Sequence, residues 1–218
     1  MSGLGIILLG RGLKLSSVKI ANTGGYQLVD LVAKDLIAFE QEIARAFEDG
    51  KIRAPVHLMG GNEDILIQIF ANIKPEDWVF STHRNHLHAL LKGVPSEVVK
   101  KDILAGKSIS LQYPEYYFHT SAIVGGNLPQ AVGVAMTGQR VWVFCGDMAA
   151  QTGIFSECLR FSEKNGLPIT FVIESNGLSV LTPTCEVWTE AIPISDKIIY
   201  YRYKNTWPHQ GTGEQVAF

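Results

Sequence analysis

The sequence is short of cysteine, of net charge and of long apolar runs, and each shortage removes a class of protein. Cysteine occurs three times in 218 residues, at Cys145, Cys158 and Cys185. An odd number at such wide spacing builds neither a disulfide framework nor a Cys-x-x-Cys metal knuckle, and it reads as reduced thiols in a cytoplasmic protein. Charged residues make up 18 % of the chain and nearly balance, leaving a formal net charge of -2. No basic field therefore draws the chain to nucleic acid or to an anionic membrane surface. The apolar start, Met1 to Gly10, is too short to span a bilayer, and Arg11 interrupts it. With no basic segment before it and no small-residue cleavage site after it, it is not read as a signal peptide. Residues 1–26 are expected to form an N-terminal arm or to contribute a short strand. Gly3, Gly5, Gly10 and Gly12 lack the spacing of a dinucleotide fingerprint, and no helix clearly follows them. Repeats, low-complexity stretches and linkers are absent too, so residues 1–218 are read as a single domain.

What is present is a globular composition, 46 % hydrophobic, with enough apolar surface for a real core. Leu28, Leu31, Val32, Leu36, Phe39, Ile43 and Phe47 recur mostly at steps of three and four, which predicts a helix from about Gln27 to Asp49, stopped at Gly50. Further helices are expected over Glu63 to Ala71, Pro95 to Ala105, Asn127 to Met136 with Asn127 as its cap, and Gln151 to Lys164. Trp78 to Phe80, Val141 to Cys145, Pro168 to Glu174 and Lys197 to Tyr203 read as strands. Val141 to Cys145 is a continuous apolar run, as expected of a buried parallel strand, and Pro168 to Glu174 reads as another buried strand. Strand and helix alternate through the second half. The expected fold class is therefore α/β, a mainly parallel sheet flanked by helices.

The informative stretch is Val141 to Leu178. It reads strand, Gly146-Asp147, helix, strand, then Glu174-Ser175-Asn176-Gly177-Leu178. In an open α/β sheet ligands sit at the carboxyl ends of the strands. Asp147 and Asn176 each fall just past such an end, and if the strands are neighbours the two side chains converge. A carboxylate and an amide oxygen are hard ligands suited to Mg2+, which takes few protein ligands and fills its sphere with phosphate and water. A helix starting near Gln151 would turn unpaired N–H groups towards an anion. These features together describe a magnesium-diphosphate site.

Gly146-Asp147-Met148-Ala149-Ala150-Gln151-Thr152-Gly153-Ile154-Phe155-Ser156-Glu157 resembles the thiamine diphosphate motif of the alpha subunits of thiamine diphosphate-dependent 2-oxo acid dehydrogenases, of the pyruvate, acetoin and branched-chain type. In that family the motif begins Gly-Asp-Gly and ends in Asn-Asn, and here Asn176 follows Asp147 by 29 positions, the spacing expected of it. The resemblance implies Asp147, Asn176 and the Leu178 carbonyl as metal ligands, with Met148 and Ala149 meeting the diphosphate through their backbone. Gly50 to Leu58 followed by Gly61-Asn62-Glu63 is similar to the family's stretch ending Gly-Gln-Glu, and places His57 among the catalytic groups. Phe80 to His88 resembles its His/Tyr-Arg-x-His element, which implies His83 and Arg84 against the cofactor and His86 towards the thiazolium and substrate. Ile123 to Gly133 is similar to a segment that holds the cofactor through backbone groups, implying contacts at Ala122 and Val124. Tyr200-Tyr201-Arg202-Tyr203 and His209 resemble the late strand and the histidine loop near the substrate. The similarity runs from roughly Asp35 to His209, with the segments in order.

The resemblance also carries departures. Met148 stands where the second motif glycine is usual, Ser175 replaces the first asparagine, Leu87 a glycine and Asn62 a glutamine. The chain between Asn176 and the Tyr200 strand is shorter than in such subunits by at least a helix and a loop, and the loop to His209 carries extra residues, among them Trp207-Pro208. The metal side reads as intact and the substrate side as remodelled.

By the same resemblance the cofactors are thiamine diphosphate and Mg2+, and the expected function is decarboxylation of a 2-oxo acid with acyl transfer. The pyrimidine half of the cofactor site would come from a beta-like subunit, in a tetramer of two alpha and two beta chains. The acyl acceptor would be a lipoyl carrier or a second carbonyl compound. Two other functions fit the same residues: a non-catalytic cofactor-binding or scaffolding paralogue, and half of a split transketolase-like carboligase. A zinc site from His83, His86 and His88 is disfavoured, because steps of two and three on a helix do not face one metal and neither cysteine nor acid joins them. Tyr113, Tyr116, Tyr117 and Phe118 read as a core or interface cluster rather than a nucleic-acid platform. His88 reads as structural, and His119 has no assigned role.

Overall fold

A computed structural model of the chain describes residues 6–8, 31–189 and 191–213. In chain order its elements are β1 (Ile6–Leu8), α1 (Ala33–Glu48), α2 (Glu63–Phe70), β2 (Trp78–Ser81), α3 (His86–Leu91), α4 (Ser96–Asp102), a π turn (Ile103–Lys107), a 3-10 turn (Pro114–Tyr116) and β3 (Phe118–Thr120). The second half follows with α5 (Asn127–Ala135), β4 (Val141–Gly146), α6 (Asp147–Ala150), α7 (Gly153–Lys164), β5 (Ile169–Ser175), β6 (Leu178–Ser179), β7 (Thr182–Pro183), α8 (Thr184–Val187) and β8 (Ile198–Arg202). Apart from β1, the expected N-terminal arm and the start of the helix predicted from Gln27 lie outside the described residues. The chain gathers into two compact units. The first comprises Asp77–Thr82 and Ser121–Lys204 together with β1. The second comprises the described residues up to Glu76, His83–Thr120 and those from Asn205 onwards.

The first unit is built on a sheet in which β1, β8, β5, β4 and β2 are neighbours in that order. β2, β4, β5 and β8 run parallel, and β1 joins β8 antiparallel. This is the α/β fold with a mainly parallel sheet that the apolar runs predict. β4 pairs with β5 from Val141↔Ile169 to Gly146↔Glu174, so the two strands end level. α5 and α7 supply Leu128, Ala131, Val132, Phe155, Cys158 and Leu159 to a core completed by Phe80, Val143, Cys145, Phe171 and Ile173 from the sheet. Cys145 and Cys158 are free and buried, and Cys185 is free and exposed. Asn127, expected as a helix cap, stands inside the first turn instead, with Gly126 before it. Its buried amide donates to the carbonyls of Ser81 at 3.2 Å and Phe144 at 2.7 Å and so ties β2 to β4.

Two helices differ from their predicted extents. The stretch predicted as one helix from Gln151 is divided: α6 starts at Asp147 itself, Thr152 turns its hydroxyl onto the Ala149 carbonyl at 2.6 Å, and α7 begins only at Gly153. The helix predicted from Pro95 to Ala105 ends at Asp102 and passes into the wider π turn, where Gly106 adopts φ +86° and takes the chain off the helical path.

The second unit is mainly helical. α1 buries the stripe Leu36, Phe39, Glu40, Ile43, Ala44 and Phe47. Its first turn is closed by the Asp35 carboxylate, which accepts the Val32 N–H at 3.1 Å. α2 and α3 pack against α1, and α4 against α3. Of the aromatic cluster, Tyr113 and Phe118 are buried and stacked, 6.1 Å between ring centres, whereas Tyr116 is half-buried and Tyr117 exposed. His88 is buried against Phe70. The last described segment is sewn to the loop before α2: Thr206 N–H donates to the Gly60 carbonyl at 3.3 Å, and Gly211 N–H to that of Val56 at 2.8 Å. Both glycines have positive φ and no room for a side chain. A Cβ on Gly60 would lie 2.2 Å from Thr206 Oγ1, and one on Gly211 2.8 Å from Phe47.

Asn127→Ala would remove the amide that bridges the Ser81 and Phe144 carbonyls. The expected cost is about 1–3 kcal/mol of unfolding free energy, read as a lower urea midpoint at unchanged slope.

Candidate functional site

At the carboxyl ends of β4 and β5 the first unit brings Asp147 and the 175–178 turn together. Asp147 is buried, and its carboxylate is held from three directions. Oδ1 accepts the Met148 N–H at 2.8 Å, and Oδ2 accepts the Gly177 N–H at 2.7 Å and the Ser175 hydroxyl at 3.2 Å. The carboxylate thereby laces the end of one strand to the turn after its neighbour. Asn176, half-buried in that turn, accepts the Leu178 N–H on Oδ1 at 3.0 Å. Gly177 takes φ +76°, which lets its N–H face Asp147.

This donor set suits a small divalent cation. Asp147 Oδ1 and Asn176 Oδ1 are hard oxygens, each held by a nearby backbone N–H. The anion side is less open than the sequence suggests. The Met148 N–H points back to Asp147, and the start of α7 is moved two residues along the chain by α6. Met148 and Ala149 are half-buried, with Ala149 against the core. Ala122 and Val124 lie on an exposed turn, with Val124 70 % exposed. The path of that turn is set by Gly125, whose φ is +71° and whose Cβ would meet Ile154 at 2.7 Å.

In the second unit His57, His83, Arg84 and His209 form one cluster. The ring centres of His57 and His83 are 4.6 Å apart, and those of His57 and His209 4.9 Å. His57 Nδ1 lies 2.7 Å from the His209 carbonyl. A carbonyl only accepts, so Nδ1 carries the hydrogen and Nε2 of the neutral ring keeps its lone pair. The Arg84 guanidinium donates to the same carbonyl at 3.2 Å and stands 3.4 Å from both His209 Nδ1 and His83 Nε2. Burial, reinforced by His209, Arg84 and His86, brings the His57 pKa down to about 4 against the pull of its backbone bond. Burial together with His57, Arg84 and His209 brings His83 to about 3. His209 is lowered as well, by burial and then by Arg84. Neutral imidazoles thus surround a permanent cation, an arrangement that can hold an anion and take up a proton.

His86 stands apart from that role. Its ring is buried, and both nitrogens are engaged inside the unit, Nδ1 with Glu40 at 3.0 Å and Nε2 with Ser108 at 2.8 Å. Sequence reasoning missed Glu40, Ser108, Ser175 and Gly177. Glu40 left a signal, an acid on the apolar stripe of an amphipathic helix. Ser175 was noticed only as a departure. Among the described residues no three His, Cys, Asp or Glu side chains form a metal cluster, and no helix is long and apolar enough to cross a membrane.

The parallel sheet flanked by helices places the chain among the α/β proteins, and its clamped carboxylate lies at the strand ends where ligands sit in open sheets of that class. The comparison with known proteins is narrower: residues 33–190 match the dehydrogenase E1 component family, and the chain belongs to it. It is 31 % identical over 160 residues to the alpha subunit of acetoin:2,6-dichlorophenolindophenol oxidoreductase of Cupriavidus necator, covering 66 % of this chain and 48 % of that one. It is 30 % identical over 165 residues to the same subunit of Bacillus subtilis, covering 68 % and 50 %. With the pyruvate dehydrogenase E1 component subunit alpha of Porphyra purpurea it shares 31 % over 161 residues, covering 63 % and 47 %. The chain spans about half the length of the curated relatives it matches.

The depressed histidines set a pH dependence of stability. Below pH 6.5 the unfolded chain takes up protons at His57 and His83 that the folded chain refuses until about 4 and 3. Stability from these rings is full above that window and falls as pH drops through it, by up to about 1.4 kcal/mol per pH unit for each ring. Melting curves between neutral pH and pH 5 are expected to show the decline, and His57→Gln to flatten it.

Proposed function

We propose that this chain is an alpha-type subunit of a thiamine diphosphate- and Mg2+-dependent 2-oxo acid dehydrogenase, decarboxylating a 2-oxo acid with transfer of the acyl group. The carrying observation is Asp147, clamped by Gly177 and Ser175 at the level ends of β4 and β5, with Asn176 in the same turn. Asp147, Asn176 and the Leu178 carbonyl would hold Mg2+. Backbone groups at Ala122, Val124, Met148 and Ala149 would meet the diphosphate. When bound, thiamine diphosphate supplies the electron sink for loss of CO2. In the second unit Arg84 offers fixed positive charge to an anionic group, with His83 beside it. His57, with its Nε2 lone pair, and His209 are the groups to hold and return a proton on the substrate side.

A beta-like chain supplies the pyrimidine half in this reading, and a lipoyl carrier is the acyl acceptor. The cytoplasm is the proposed location. One observation favours the rival reading, a non-catalytic cofactor-binding paralogue: the Met148 N–H is turned onto Asp147, away from an incoming phosphate.

Calorimetric titration of thiamine diphosphate into the chain, with and without Mg2+ and with and without the beta-like partner, separates these readings. Binding is expected to require Mg2+ and to weaken about 100-fold or more in Asn176→Ala, which leaves the Asp147 clamp in place, and in Asp147→Ala. Decarboxylation of a 2-oxo acid is expected only when both chains are mixed. Binding without turnover in that mixture would select the paralogue. No binding, even with a partner that associates, would remove both readings.

A further inference from the structure

Behind the histidine cluster runs a second polar chain that the proposed reaction does not use. Glu40, on the buried stripe of α1, accepts the Met59 N–H on Oε2 at 2.8 Å. Its Oε1 meets His86 Nδ1 at 3.0 Å, and His86 Nε2 meets the Ser108 hydroxyl at 2.8 Å. Glu40, His86 and Ser108 are each at most 2 % exposed. A carboxylate only accepts, so His86 Nδ1 carries a hydrogen, and the Nε2 of a neutral ring then receives the Ser108 O–H. Every polar end is engaged, the condition under which a buried network rigidifies its surroundings.

The anchored points matter more than the chain itself. Met59 lies two residues after His57, and His86 two residues after Arg84. Ser108 follows the π turn. A cavity of about 300 Å³ is lined by Glu40 together with Thr206 and Trp207, three and two residues before His209. One carboxylate therefore holds the loop that carries His57 and the turn that carries His83 and Arg84, and it borders the loop that carries His209.

We propose that Glu40, His86 and Ser108 form a positioning relay that sets the placement of His57, His83 and Arg84 within the second unit. In this role His86, which the resemblance turned towards the substrate, acts through its neighbours, because both ring nitrogens are engaged within the unit. The consequence for catalysis rests on the reading given under Proposed function; the coupling within the chain does not.

Glu40→Gln tests the relay at nearly constant volume. The glutamine oxygen can still accept the Met59 N–H, but its amide must then donate to His86 Nδ1, which inverts the ring and sends Nε2–H towards Ser108 Oγ. Ser108→Ala is the gentler variant and removes only the far end. The readout is the set of histidine ring 15N signals of the full-length chain, recorded without cofactor beside its melting temperature. In both variants the signals of His57 and His83 are expected to move together with that of His86, by more in Glu40→Gln, while the chain stays folded. The wild-type affinity for inorganic pyrophosphate is expected to fall about tenfold, as for other groups that orient a binding residue. Movement confined to His86 in a folded variant would overturn the proposal and leave a satisfied core network. If Glu40→Gln does not fold, Ser108→Ala decides by the same criterion. Failure of the wild-type chain to bind thiamine diphosphate would remove the functional reading without altering the ring signals.

Discussion

Because β4 and β5 pair in parallel from Val141↔Ile169 to Gly146↔Glu174, the chain leaves the sheet at the same height on two neighbouring strands. Shifting that register by one residue would exchange the faces of every side chain in β5 and carry Ser175 and Gly177 out of reach of Asp147. The apolar runs hold the register by burial, and the Asp147 carboxylate locks it from the end. The core and the strand-end site thus depend on one alignment. The carboxylate that could bind a cation is also the group that fixes the turn presenting Asn176.

The second unit solves a different problem, how to keep many polar rings in a confined space. His57 and His83 are held neutral chiefly by burial, with Arg84 and His209 adding to the penalty at both rings and His57 adding to it at His83. His86 lies near them and yet has its own carboxylate and hydroxyl. Its ring belongs to the framework, while His83 Nε2 faces the Arg84 guanidinium and His57 Nε2 keeps its lone pair.

The sheet was legible because buried parallel strands need apolar runs: Val141 to Cys145 is unbroken, and Ile169 to Ile173 is interrupted only by Thr170. That Asp147 would stand beside the turn carrying Asn176 was legible because both residues follow strand ends. The split between α6 and α7 was not, since Gln151 and Thr152 read as helix by pattern and are set off by the Thr152 hydroxyl on Ala149. The inward turn of Asn127 was equally hidden, because an asparagine at a helix start looks like a cap until the strand carbonyls beneath it are seen. His86 was expected to face the substrate. Its partners, Glu40 and Ser108, lie 46 and 22 positions away along the chain, beyond the reach of any local pattern.

The loop bearing His209 is fastened almost entirely through main-chain atoms, by the Gly60 and Val56 carbonyls and by two glycines that leave no space for a side chain. Its route is therefore indifferent to most of the residues that travel along it. The exceptions are Thr206 and Trp207, whose side chains fill the space that Gly60 leaves. A segment held by its own main chain can exchange side chains without changing its path, so its outer face is free to vary in shape and polarity while its inner fastening stays the same.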